Sequence, residues 1–127
     1  MIAYKLKNFL SKRRCTLLGV GPMSVNCVDA TIELANDHDV PLMLVASRRQ
    51  IDSEDFDGGY VNNWSTSRFA EYVINSDKKD NILLARDHGG PWQNDKEKEN
   101  NLSLRRAMNS AKVSYLSDLE ADFQILH

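Results

Sequence analysis

The stretch Pro41-Leu42-Met43-Leu44-Val45-Ala46 decides the fold of this 127-residue chain. Proline opens it and the polar run Ser47-Arg48-Arg49-Gln50 closes it. Its apolar character is continuous rather than alternating, which suits a strand of a parallel sheet covered on both faces. Similar runs flank it, with Cys15-Thr16-Leu17-Leu18-Gly19-Val20 before it and Ile82-Leu83-Leu84-Ala85 after it. Between the runs, apolar residues recur at helical spacing: Val28, Ile32 and Ala35, then Phe69, Tyr72 and Val73, then Leu104, Ala107, Met108, Ala111 and Tyr115. Ser24, and either Ser65 or Thr66, stand where a helix N-cap is needed. Residues 2–10 place Ile2, Leu6, Phe9 and Leu10 on one helical face, and Lys12-Arg13-Arg14 complements the negative end of that helix. Phe123-Gln124-Ile125-Leu126-His127 reads as the opening of a fourth strand.

The order is a helix, three βα units and a further strand. Repeated βα units imply a parallel sheet with right-handed crossovers. Two α/β architectures fit. One is an open doubly wound sheet; the other is the first half of a TIM (βα)8 barrel, which takes ~250 residues to close. Long polar loops, 47–63 and 86–100, follow the second and third strands, at the strand ends where either architecture carries its site. Residues 1–127 are expected to form a single incomplete domain, with apolar surface and an unpaired edge left at the fourth strand.

Sixteen basic and 18 acidic side chains give a net charge of -2, so the global basic excess that attracts nucleic acid is absent. The apolar runs are far too short to cross a bilayer, and Met1–Lys7 lacks the apolar core and cleavage site of a secretory signal. Two cysteines, Cys15 and Cys27, make no disulfide framework and are expected to pack as small apolar residues. A cytoplasmic protein with neither nucleic acid nor membrane as partner is the expectation.

The sharpest local signal is Arg86-Asp87-His88-Gly89-Gly90-Pro91-Trp92, directly after the third strand. Asp and His side by side supply a proton acceptor and a metal ligand, and the glycines let backbone approach a ligand. The competing reading is a polar turn capped by Asp87. One His and one Asp fall short of the three protein ligands that a zinc site needs. Ser47-Arg48-Arg49-Gln50 ends the second strand, and its arginines are placed either to hold a phosphate or carboxylate or to neutralise Asp52, Glu54, Asp55 and Asp57. Gly19-Val20-Gly21 lacks the third glycine of a dinucleotide fingerprint, since Ser24 stands there, and reads as a tight turn. Gly58-Gly59-Tyr60 reads as a turn rather than a ligand-closing loop, His38 as a helix-end residue, and Lys96-Glu97-Lys98-Glu99 as a solvated helix start or loop.

Taken in order, Gly19-Val20-Gly21-Pro22-Met23-Ser24-Val25-Asn26, Ala46-Ser47-Arg48-Arg49-Gln50-Ile51, Phe56-Asp57-Gly58-Gly59-Tyr60 and Asp87-His88-Gly89-Gly90-Pro91-Trp92 form a pattern. It resembles the amino-terminal half of the class II tagatose-bisphosphate aldolase non-catalytic subunit family, once described as tagatose-6-phosphate kinases. The resemblance runs from about Ser11 to His127. It implies a TIM barrel related to zinc-dependent sugar-phosphate aldolases. Carried over residue by residue, it makes Asp87 the catalytic acid/base and His88 a zinc ligand, and places Ser47 and Gln50 toward substrate; Arg48, read from its own charge at the strand end, is expected to face substrate as well. Arg48 and Arg49 stand where smaller polar residues are expected, which points to a different substrate preference.

On this resemblance the chain is expected to be part of an accessory aldolase subunit, truncated at the fourth strand. Its expected partners are a catalytic aldolase subunit or the missing half-barrel, together with a sugar-phosphate ligand. One alternative is a zinc-dependent aldolase or epimerase whose second half completes the site. Another is an inactive truncated product.

Overall fold

The computed structural model describes residues 2–127; Met1 lies outside the described residues. Helix α1 (Ile2–Lys12) is followed by strand β1 (Gly19–Val20), helix α2 (Val25–His38) and strand β2 (Leu42–Ser47). A 3-10 turn (Glu54–Phe56) leads to helix α3 (Thr66–Ser76) and strand β3 (Ile82–Asp87). A short helix α4 (Asp95–Glu99), a long helix α5 (Leu104–Glu120) and strand β4 (Ile125–Leu126) complete the order. The four strands form one sheet in the order β1-β2-β3-β4, every pair parallel. The order never reverses, so the sheet has no topological switch point.

The helices begin where the caps stand. The Ser24 side chain accepts a hydrogen bond from the Cys27 N–H, and that of Ser65 from the Arg68 N–H. Of the two candidates for the third cap, Ser65 fills the role and Thr66 is the first helical residue. Helix α2 stops where Asp39 takes a left-handed conformation, φ 50°, and its N–H returns to the carbonyls of Ala35 and Asn36.

One core lies between the sheet and the helices. Leu42, Leu44 and Ala46 of β2 and Ile82 and Leu84 of β3 meet Val28, Ile32 and Ala35 of α2, and Phe69, Ala70 and Val73 of α3. Trp64 packs on Phe69 and Tyr72, with ring centroids 5.6 Å and 4.9 Å away. The hydroxyl of Tyr72 donates to Asp29, and that hydrogen bond is the main reason its pKa is raised.

Several expectations are corrected here. The first strand is two residues long rather than six, because it pairs only with β2 and Cys15, Thr16 and Leu18 are solvent-exposed. Cys15 therefore does not pack as an apolar residue, and Cys27 is half-buried. The face of β2 opposite the core, Met43, Val45 and Ser47, is half-buried rather than fully covered. Strand β3 runs on through Arg86 and Asp87, which the sequence pattern assigned to a loop.

Helix α5 differs most. Leu104 and Met108 are exposed, while Ala107, Ser110, Ala111, Ser114 and Asp118 are buried. Those positions repeat at helical spacing, but three of the five side chains are polar. The helix faces charged groups rather than an oily layer, and burial of polar groups follows their hydrogen bonds.

Candidate functional site at the carboxyl ends of the strands

Ser47 and Asp87 are register partners on adjacent strands. They therefore point to one face of the sheet at the same level. Ser47 is tied to Gln50, whose Oε1 accepts from the Ser47 N–H at 2.9 Å and lies 3.0 Å from its hydroxyl. The other end of the Gln50 amide lies 3.1 Å from Met23 Sδ, in the loop after β1. The ends of the first three strands thus come together through side chains that the sequence pattern singled out.

Asp87 is half-exposed, and its two carboxylate oxygens face different imidazoles. Oδ2 lies 3.4 Å from His88 Nε2, and Oδ1 lies 3.4 Å from His127 Nδ1. The rings meet edge to face with centroids 6.2 Å apart. His127 is anchored by backbone: its N–H donates to the Arg86 carbonyl at 3.1 Å, and its carbonyl accepts from the Gly89 N–H at 2.8 Å. Sequence reasoning left His127 without a role, because 39 positions separate it from His88 and only the parallel pairing of β3 with β4 joins them.

The segment 88–92 is held in unusual backbone geometry. His88 has φ 50° and Trp92 φ 58°. A left-handed bulky aromatic is rare, and such conformations persist where their surroundings over-determine them. Here the surroundings are explicit. The Trp92 N–H donates to Glu97 Oε2 at 2.5 Å and its indole N–H to the Leu102 carbonyl at 3.0 Å. Gly89 lies under the Tyr115 ring, where a Cβ would come within 2.6 Å of it.

Arg48 does not face the cleft as expected. Its side chain is fully buried and turned inward. Nε donates to Asp52 Oδ2 at 3.0 Å, one terminal nitrogen to the Gly90 carbonyl at 3.1 Å, and the other meets Ser110 Oγ at 3.1 Å and Glu97 at 2.6 Å. The guanidinium also covers the Phe56 ring at 5.3 Å. Two buried carboxylates balance the charge, and without them a guanidinium out of water would bear a large desolvation cost. Glu97, taken in the sequence for part of a solvated run, is thereby 3% exposed. It is the residue that sequence reasoning missed most completely: the alternation Lys96-Glu97-Lys98-Glu99 gives no sign that one member is buried.

Arg49 takes the solvated alternative, pairing with Asp95 at 2.9 Å where both side chains are about half exposed. Lys96 bonds Asp57, and this contact, followed by the ammonium charge, lowers the Asp57 pKa. Gly58, at φ 71°, makes the turn that the sequence suggested. A Cβ on Gly59 would stand 2.0 Å from the Gln50 carbonyl oxygen. Gly59→Ala is therefore expected to cost about 1–3 kcal/mol through displacement of the 47–52 segment, read as a lower urea midpoint. An unchanged midpoint would mean that this loop yields freely.

The donor set was weighed against a metal. Among the described residues, no group of three His, Cys, Asp or Glu side chains is spaced to hold an ion. The two histidines near Asp87 address separate oxygens rather than a common point. The residues present do not fit a resident zinc site. Among the described residues, too, no helix is long and apolar enough to cross a membrane.

No family model matches the sequence, and no curated protein matches it. Among solved structures, the fold is similar to a crystal structure of a probable tagatose 6 phosphate kinase from Sinorhizobium meliloti 1021, with a TM-score of 0.71 and 20% identity. The match covers 89% of this chain and 28% of that one, so the chain spans less than one third of its neighbour's length. At that identity the likeness is one of fold alone.

Proposed function

We propose that residues 1–127 are half of a TIM (βα)8 barrel that serves in tagatose-related carbohydrate metabolism, as an accessory subunit of a class II tagatose-bisphosphate aldolase in the cytoplasm. The observation that carries this reading is the placement of Asp87 and His88 at the end of β3, level with Ser47 on β2, in a fold similar to that of a probable tagatose 6 phosphate kinase. Sequential parallel order without a switch point supports a barrel over a doubly wound sheet.

In this reading Ser47, Gln50, Asp87 and His88 face a sugar phosphate. Arg48 serves from behind by fixing the Gly90 carbonyl. An accessory role suits a site whose donors fall short of a zinc set. A zinc-dependent aldolase or epimerase would need ligands supplied from beyond these residues.

The test mixes the chain with a class II aldolase catalytic subunit and, separately, titrates it with D-tagatose 6-phosphate. Expected are co-elution with the catalytic subunit and saturable amide shifts around residues 47–50 and 87–89. His88→Ala is expected to weaken binding of the sugar phosphate about tenfold, as loss of one hydrogen bond would. Absence of both co-elution and binding would overturn the reading.

A further inference from the structure

We propose that His127 is a third residue of this site: Asp87 orients His88 and His127 together, leaving His88 Nδ1 and His127 Nε2 as paired hydrogen-bond acceptors for hydroxyl groups of a bound ligand. The ligand class, a polyhydroxylated sugar phosphate, rests on the reading above.

The geometry that carries it is the carboxylate between two rings. A carboxylate that accepts from one imidazole nitrogen fixes the tautomer and leaves the other nitrogen basic. Here one carboxylate lies 3.4 Å from a ring nitrogen of each of two imidazoles, through a different oxygen each time. His88 presents Nε2 to Asp87 and His127 presents Nδ1, so the nitrogens left for a ligand differ between the rings. Both contacts are 3.4 Å, longer than a formed hydrogen bond, and such catalytic contacts often tighten only when ligand binds. Neither ring is on a loose tether. His88 sits in the left-handed conformation directly after β3, and His127 is bonded through both its N–H and its carbonyl to the backbone at residues 86 and 89. Both side chains are more than half exposed, so a ligand over the strand ends reaches them.

Ligand hydroxyls donate hydrogen bonds to His88 Nδ1 and His127 Nε2, and no covalent bond is broken. Asp87 is a positioning residue, and His88 and His127 are the groups that touch the ligand.

The chain contains three histidines, His38, His88 and His127, so their ring signals are separable. Long-range proton–nitrogen correlation of the full chain near pH 8, where an ordinary imidazole of pKa about 6.5 is neutral, reads each tautomer directly. Expected are a proton on Nδ1 of His127 and on Nε2 of His88. Asp87→Ala is expected to abolish the His127 preference and leave His38 unmoved. A wild-type His127 carrying its proton mainly on Nε2 overturns the proposal without any variant being made. So does an Nδ1 proton on His127 that persists in Asp87→Ala. On addition of D-tagatose 6-phosphate, both ring signals should move and saturate together. Correct tautomers with no response of either ring would remove the ligand class, and the functional reading with it, while the orientation of the pair by Asp87 stands.

Discussion

Asp118→Ala is expected to lower the urea midpoint of this chain more than any other single substitution considered. Asp118 is fully buried on α5 and receives two hydrogen bonds from Arg86, at 2.8 Å from Nε and 2.6 Å from Nη2. Arg86 is equally buried in β3, donates to the carbonyls of Ala46 and Ile51, and lies over the Phe123 ring at 5.4 Å. Removing the carboxylate leaves a guanidinium in the interior without its counter-charge. Breaking a buried pair from one side costs about 3–5 kcal/mol, against a total of about 5–15 kcal/mol for a typical domain. Among the described residues, β1 and β4 each pair on one side, and Ile125 and Leu126 on β4 are 38% and 37% exposed. The measurement is urea denaturation followed by far-UV circular dichroism. The double variant Arg86→Met/Asp118→Leu, which removes both charges, is expected to unfold at higher urea than Asp118→Ala. If the double variant is the weaker of the two, the pair contributes net stability beyond charge compensation.

Arg48→Met is expected to have the next largest effect, again about 3–5 kcal/mol, with a local signature besides. Arg48 is the common partner of Asp52 after β2, Glu97 on α4, Ser110 on α5 and Gly90 after β3. Its loss strands two buried carboxylates, although Asp52 keeps Asn94 at 2.9 Å and the Ser53 N–H at 2.8 Å. With Glu97 released, the Trp92 N–H loses its acceptor and the left-handed turn at residues 88–92 loses its anchor. Exchange of the Trp92 amide should rise at least about tenfold, consistent with about 1.4 kcal/mol of local protection removed. Arg49→Ala is the control. Its pair with Asp95 is exposed, so at most about 1 kcal/mol is at stake. Equal effects of the two arginine variants would mean that burial does not decide the strength of these pairs.

Each prediction turns on a charge whose fate the sequence left open. Arg48 and Arg49 are neighbours of the same type, and spacing assigns both of them to the strand end. One is sealed in and the other is solvated, because successive side chains leave the chain in different directions and only one meets Asp52 and Glu97. Glu97 and Asp118 look like ordinary surface acids in ordinary helices. Helical periodicity is read from apolar residues, so a buried stripe of Ser110, Ser114 and Asp118 leaves no trace in it. His127 joins the site only through the pairing of β4 with β3, a contact of residues far apart in sequence.

By itself the sequence determined the elements that local physics controls. Continuous apolar runs set β2 and most of β3, serine caps set the starts of α2 and α3, and the alternation of strand and helix set a parallel sheet. It also placed Ser47, Gln50, Asp87 and His88 at the strand ends, since a parallel strand must finish at the carboxyl edge. Only the tertiary structure decided which charges are buried, how far β1 and β3 extend, and which residues face Asp87. Those outcomes depend on what stands opposite each group. Desolvation makes a buried ion bear several kcal/mol unless a partner arrives from another segment, and partners such as Glu97 for Arg48 or Asp118 for Arg86 meet only when the chain is folded.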